Sequence, residues 1–129
     1  MIEPRWLAIE VVIAAHARQL ALFGGPAGLR DRPLLESALA RPVNQFHYGQ
    51  EDFASLAAAY AYGLARNHAF VDGNKRIAFI ALVLFLAMNG IVLKAPTGEA
   101  ADIILRLAAG ELEEAALADW VRAHASPRS

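Results

Sequence analysis

The longest purely apolar stretch of the chain runs from Ile77 to Met88, twelve residues without a charged or polar side chain. A polar loop, His68–Arg76, precedes it, and Asn89-Gly90 stops it, with Gly90 suited to a left-handed helix C-cap. The pattern predicts a helix that is apolar all round, which belongs in the centre of a globule or in a membrane. Twelve helical residues span about 18 Å, and a bilayer needs about 20 residues. The stretch therefore reads as the central helix, about 74–89, of an all-α bundle.

The rest of the chain supplies the other helices. Glu3-Pro4 opens a first helix that runs to about Leu22 and stops at Gly24-Gly25. Ile9, Ile13, His16 and Leu20 share one face of it, and Trp6, Leu7, Val11 and Val12 widen the apolar surface. That surface is either a broad core face or the wall of a groove for a partner helix. Asp31 caps a short helix, about Arg32–Ala40, with Pro42 just beyond. Residues 43–50 lack helical period and predict a short β-hairpin or extended flap. Glu51-Asp52 opens a helix with Phe53, Leu56, Ala57, Tyr60 and Leu64 at core spacing, and this helix delivers the chain to His68. Ile91–Leu93 is a short extended piece. Thr97 caps a helix over Gly98–Ala108, and Leu112–His124 forms the last helix with Leu117, Trp120 and Val121 inward. Residues 126–129 read as a frayed tail.

Composition narrows the function classes. At 129 residues and 57% hydrophobic content, the chain suits one domain, 1–129, with a proper core. Its net charge of −1 gives nucleic acid no obvious basic surface. The absence of cysteine excludes disulfides, thiolate chemistry and cysteine-ligated zinc. Met1–Arg5 lacks the basic-then-apolar order of a secretory leader. A cytoplasmic protein with no membrane association is expected.

The candidate chemistry sits where the apolar helix begins. A helix N-terminus has free backbone N–H groups and a partial positive charge, so it binds anions. Gly73 allows a tight turn and close approach. Asn74 can cap the helix or offer its amide. Lys75 and Arg76 place two cations where the helix dipole disfavours them, which points to an anionic ligand such as phosphate. Asp72 is a carboxylate beside that site, as a Mg²⁺ ligand completed by phosphate oxygens would be. His68 lies close enough to serve as a base for a hydroxyl. Phe70 reads as a core anchor for the loop. Each residue alone has an ordinary structural use, as a cap, a solvated edge or a packed ring; the cluster within nine residues does not.

The run His68-Ala69-Phe70-Val71-Asp72-Gly73-Asn74-Lys75-Arg76 resembles the loop of the Fic family, His-x-Phe-x-Asp/Glu-Gly-Asn-Gly-Arg. Lys75 stands where the common pattern has its second glycine, and Phe79 replaces the Arg that ends the longer pattern. Both departures resemble the Doc (death-on-curing) branch, the toxins of Phd–Doc toxin–antitoxin modules. Gly24–Asp31, Pro33–Arg41 and Leu84–Gly90 extend the likeness over about residues 4–124.

The resemblance implies an ATP- and Mg²⁺-dependent kinase acting on a Ser/Thr hydroxyl of a bacterial protein, elongation factor Tu in the family. His68 would be its base, Asp72 its metal ligand, and Gly73, Asn74, Lys75 and Arg76 its phosphate site. In the Fic fold a flap holds the target peptide, which here would make His47 and Tyr48 candidate contacts. A Fic-type AMP transferase is the alternative, although the long side chain of Lys75 fills space that the glycine would leave for phosphate. A non-enzymatic interaction domain would keep the loop without nucleotide affinity. Many Fic enzymes carry an inhibitory helix with Ser/Thr-x-x-x-Glu-Gly/Asn, and this sequence has no match to it. Control would therefore come from another chain, a Phd-like antitoxin whose disordered tail folds on binding. The surface around Trp6, Leu7 and Val11 is the expected contact.

Overall fold

Asp52 begins the most enclosed helix of the molecule. Its carboxylate accepts from the Ser55 backbone N–H at 3.1 Å and from the Ser55 hydroxyl at 2.8 Å, an N-cap that satisfies otherwise orphaned donors. Burial pushes this carboxyl up, but hydrogen bonds from Arg122 and Ser55 outweigh it and hold Asp52 below the usual carboxylate range. A computed structural model describes residues 3–26 and 28–128. Its helices are α1 (Ile9–Phe23), α2 (Arg32–His47), α3 (Phe53–Asn67), α4 (Asn74–Met88), α5 (Thr97–Ala108) and α6 (Glu114–His124). Two short strands, β1 (Ile91–Leu93) and β2 (Ala125–Pro127), complete the described elements.

The all-α bundle is built on α3 and α4, packed side by side. Small residues line α3 (Ala54, Ala57, Ala58, Ala59, Ala61, Gly63 and Ala65 are all buried), so α2, α4, α5 and α6 can all approach it. The buried residues of α4 are Asn74, Ile77, Ala78, Ala81, Leu82, Phe85 and Leu86, at helical spacing. Its other side, with Phe79, Ile80, Val83 and Leu84, is half-buried. No helix among the described residues is long and apolar enough to cross a membrane.

Four sequence expectations are corrected. The first helix starts at Ile9, not at Pro4: Ala8 is extended and residues 3–7 are not helical. That lead is held elsewhere: the Leu7 N–H donates to the Tyr60 hydroxyl at 3.0 Å, and Arg5 pairs through its backbone with the Asn89 amide. Second, α2 does not stop at Ala40 but continues through Pro42 to His47. Proline removes the donor that would meet the Ala38 carbonyl. That carbonyl lies at the crossing with α3, where a Cβ on Gly63 would come within 3.2 Å of it. The close crossing and the buried Pro42 ring keep the helix intact.

Third, residues 43–50 form no hairpin. The N–H of Gly49 meets the Phe46 carbonyl and that of Gln50 meets the Gln45 carbonyl, with Gly49 at φ 107°, a glycine-dependent helix ending. Fourth, the tail is not frayed over 126–128, and Ser129 lies outside the described residues. Ile91, Val92 and Leu93 pair antiparallel with Pro127, Ser126 and Ala125, and the Arg128 N–H donates to the Gly90 carbonyl. Two smaller differences concern boundaries: Pro96 rather than Thr97 caps α5, and α6 begins at Glu114 rather than Leu112.

Candidate active site

The loop between α3 and α4 is fixed almost atom by atom through its backbone. His68 ends α3 in the left-handed conformation, φ 52° and ψ 49°, and no other described non-glycine residue has positive φ. Such a conformation costs on the order of 1–3 kcal/mol and persists only where the surroundings enforce it. Arg30 enforces it: its guanidinium donates to the His68 carbonyl through Nε, at 3.0 Å, and through Nη2. The N–H groups of Arg30 and Asp31 both donate to the Ala69 carbonyl, and the Val71 N–H donates to the Gly28 carbonyl. Leu29 and Phe70 thus form an antiparallel bridge.

Two side chains complete the bracing from inside. Asn74 is buried, and its amide closes a ring on Phe70, accepting from its N–H at 3.0 Å and donating to its carbonyl at 2.9 Å. His16 of α1 is buried, stacks on the Phe70 ring at 3.7 Å between centroids, and its Nε2–H donates to the Asp72 carbonyl at 2.7 Å. Since a carbonyl oxygen only accepts, Nε2 carries the proton.

This bracing leaves the start of α4 open. Gly73, at φ 79°, is its N-cap and offers no side-chain hydrogen bond. The first-turn N–H groups therefore lack intrahelical partners. Asn74 contributes to that turn through its backbone alone, which corrects the expectation that its amide is available to a ligand. Lys75, Arg76, Asp72 and His68 are exposed. The Arg76 guanidinium lies 4.3 Å over the Phe23 ring, a cation–π contact. Among the described residues the Asp72 carboxylate makes no hydrogen bond or ion pair, and no group of three or more His, Cys, Asp or Glu side chains could hold a metal. An ion here would rest on one carboxylate with the remaining ligands from phosphate and water, which is how Mg²⁺ is commonly held. Gly25 lies against this carboxylate, because a Cβ there would be 2.8 Å from Asp72 Oδ2.

His68, Asp72, Gly73, Asn74, Lys75 and Arg76 all line one open cleft of about 1170 Å³. Its apolar walls come from Leu20 and Phe23 of α1, Phe79 and Ile80 of α4, and Ile104 and Leu105 of α5. The volume exceeds that of a typical small-ligand pocket. His47 and Tyr48 do not line it. Tyr48 is 93% exposed and borders a separate hollow with Arg41 and Glu114 between α2 and α6. The segment beside the loop is Gly28–Asp31, whose backbone pairs with Ala69, Phe70 and Val71. The expected partner surface is likewise divided: Val11 is 46% exposed, but Leu7 is only 5% exposed and Trp6 stacks on Phe85.

Sequence reasoning missed His16, Arg30 and Gly25 as parts of the site. One signal was present, since His16 is the single polar residue in the stripe Ile9, Ile13, His16 and Leu20 and needs a partner when buried. Arg30 carried no signal, because nothing local says that its guanidinium reaches 38 residues along the chain.

The chain is similar to known proteins over most of its length. The profile of the Fic/DOC family matches residues 6–86. The chain is 33% identical over 120 residues to "Protein kinase doc" of Escherichia phage P1, covering 92% of this chain and 94% of that protein. It is 49% identical over 76 residues to "Toxin Doc" of Mycolicibacterium smegmatis, covering 57% of this chain and 58% of that protein. By its sequence over most of its length, and by the loop that its helices hold, the chain belongs to the Doc branch of the Fic/DOC family.

Proposed function

We propose that the chain is a toxin that transfers the γ-phosphoryl group of ATP to a Ser/Thr hydroxyl of another protein. The observation that carries this reading is the uncapped start of α4, whose free N–H groups line the same cleft as His68, Asp72, Lys75 and Arg76. The relatives named protein kinase and toxin support the same activity. The N–H groups of the first turn bind phosphate oxygens, and Gly73 lets them approach closely. Lys75 and Arg76 offset the charge on the transferred group, as cations do in phosphoryl transfer generally. His68 takes the hydroxyl proton as that oxygen bonds to the γ-phosphorus. The bond from phosphorus to the bridging oxygen breaks, and ADP leaves with the electron pair. The exposed Asp72 carboxylate would hold Mg²⁺, which when bound further neutralises phosphate charge.

The target in this reading is a translation factor, elongation factor Tu by resemblance, so translation stops. The restraining partner is a Phd-like antitoxin, and the setting is the cytoplasm. Incubating the protein with a bacterial translation extract and labelled ATP tests the reaction. Label from the γ position should enter a protein, and His68→Ala should remove it by at least a hundredfold, within the range for loss of a general base. Entry of α-label instead would replace the kinase with an AMP transferase.

A further inference from the structure

The acidic residue of the motif loop is held from a helix more than fifty positions upstream. His16 stands on α1, is 3% exposed, and is one of two buried polar residues in the described structure. Its one side-chain hydrogen bond among the described residues goes to the main-chain carbonyl of Asp72 at 2.7 Å, across 56 residues of sequence. Its ring lies flat on Phe70, 3.7 Å away at an interplanar angle of 16°. On the next residue, a Cβ at Gly73 would come within 3.3 Å of His16 Nε2. His16 therefore touches Phe70 and Asp72 and leaves little room for a side chain at Gly73, while its own ring stays outside the cleft lining.

We propose that His16 is a positioning residue for Asp72. Its Nε2–H fixes the Asp72 peptide, and the carboxylate lines the cleft with no hydrogen bond or ion pair among the described residues. With no side-chain partner for its oxygens among the described residues, the Asp72 carboxylate is aimed by its backbone, and the His16 hydrogen bond to that backbone orients it as an outer-shell partner orients a metal ligand. Here α1 supplies both restraints on that aim: His16 holds the carbonyl, and Gly25, just past the end of α1, leaves room for the carboxylate. The inference rests on the reading of Asp72 as the Mg²⁺ ligand.

The test uses binding rather than turnover. The affinity of the full protein for the nonhydrolysable ATP analogue AMP-PNP is measured calorimetrically with and without Mg²⁺, and the ratio is the gain due to the ion. His16→Leu should lower that gain about tenfold, in line with the usual loss on removing a residue that orients a metal ligand. It should leave Mg²⁺-free affinity within about threefold. His16→Gln keeps an N–H at the distance of Nε2 from the helix and should restore most of the gain. His16→Asn, one bond shorter, should not, and this pair decides the matter if the Leu variant fails to fold. Hydrogen exchange at residues 72–74 should speed up in the Leu and Asn variants and stay near wild type in the Gln variant. Equal gains in His16→Asn and His16→Gln, with Asp72→Asn having lost the gain, would overturn the role of His16 while sparing that of Asp72. An undiminished gain in Asp72→Asn would overturn both.

Discussion

Gly73 answers to two demands at once. Its φ of 79° is costly for a residue with a Cβ, and that Cβ would press against His16 Nε2 at 3.3 Å. Gly73→Ala should therefore destabilise the protein by about 1–2 kcal/mol from backbone strain. Phosphoryl transfer should fall far more than the folded fraction does, because the first turn of α4 moves with residue 73. Urea unfolding beside a γ-label assay separates the two, and a variant that keeps wild-type transfer per folded molecule would contradict the role of that turn. At this scale the sequence was informative wherever a residue's chemistry announced its use. His68, Asp72, Gly73, Lys75 and Arg76 could be picked out because base, acid, glycine and cations crowd nine positions, and all five line one cleft. Asn74 could not be assigned correctly, since an amide serves a ligand and a backbone equally well and only the fold shows that Phe70 takes both of its ends.

At the scale of the element, the misreading of α2 is the instructive case. Pro42 is a strong local stop signal, and the polar mix after it has no helical period, so an ending at Ala40 followed by a flap was the natural expectation. The helix runs on because its buried face packs on α3 at a crossing where Ala38 meets Gly63, and tertiary contact outweighs local preference. The cost of crowding that crossing is testable. A Cβ at Gly63 would lie 3.0 Å from Ala38 Cα and 3.1 Å from its Cβ, which only a backbone shift relieves. Gly63→Ala should cost about 1–3 kcal/mol, as overpacked cores do, with the chemistry of the cleft unchanged per folded molecule. A neutral or stabilised variant in chemical denaturation would show that α2 and α3 are free to separate. The helices with clear periodicity and matching punctuation, α3 and α4, were legible almost to the residue, because capping and core spacing agree there with the packing.

For the molecule as a whole, Tyr60 links the non-helical segment before α1 to the core. Burial pushes its hydroxyl up to about 12, although the bond from the Leu7 N–H acts the other way. The folded state thus holds this proton more tightly than the unfolded chain, whose tyrosine titrates near 10. The associated stability is fully present below about pH 10 and is lost as pH rises from there through about 12, to the extent of about 3 kcal/mol. Tyr60→Phe should abolish that alkaline loss. At neutral pH it should cost about 1–3 kcal/mol, because the Leu7 N–H is left buried without an acceptor. Thermal unfolding of both proteins between pH 8 and 11.5, within the window set by the shift, would reveal a pH-independent difference if Tyr60 did not titrate as described. The corner at Asn89-Gly90 has its own bearing on how this molecule can be handled. Arg5 docks on Asn89 and Arg128 docks on Gly90, so the two extremities of the described chain meet at one place. That place is the far end of α4 from His68, about 20 Å away along the axis of a helix of this length. Labels placed at Arg5 and at Arg128 would therefore sit side by side, so a distance measured between them would report little on the rest of the fold.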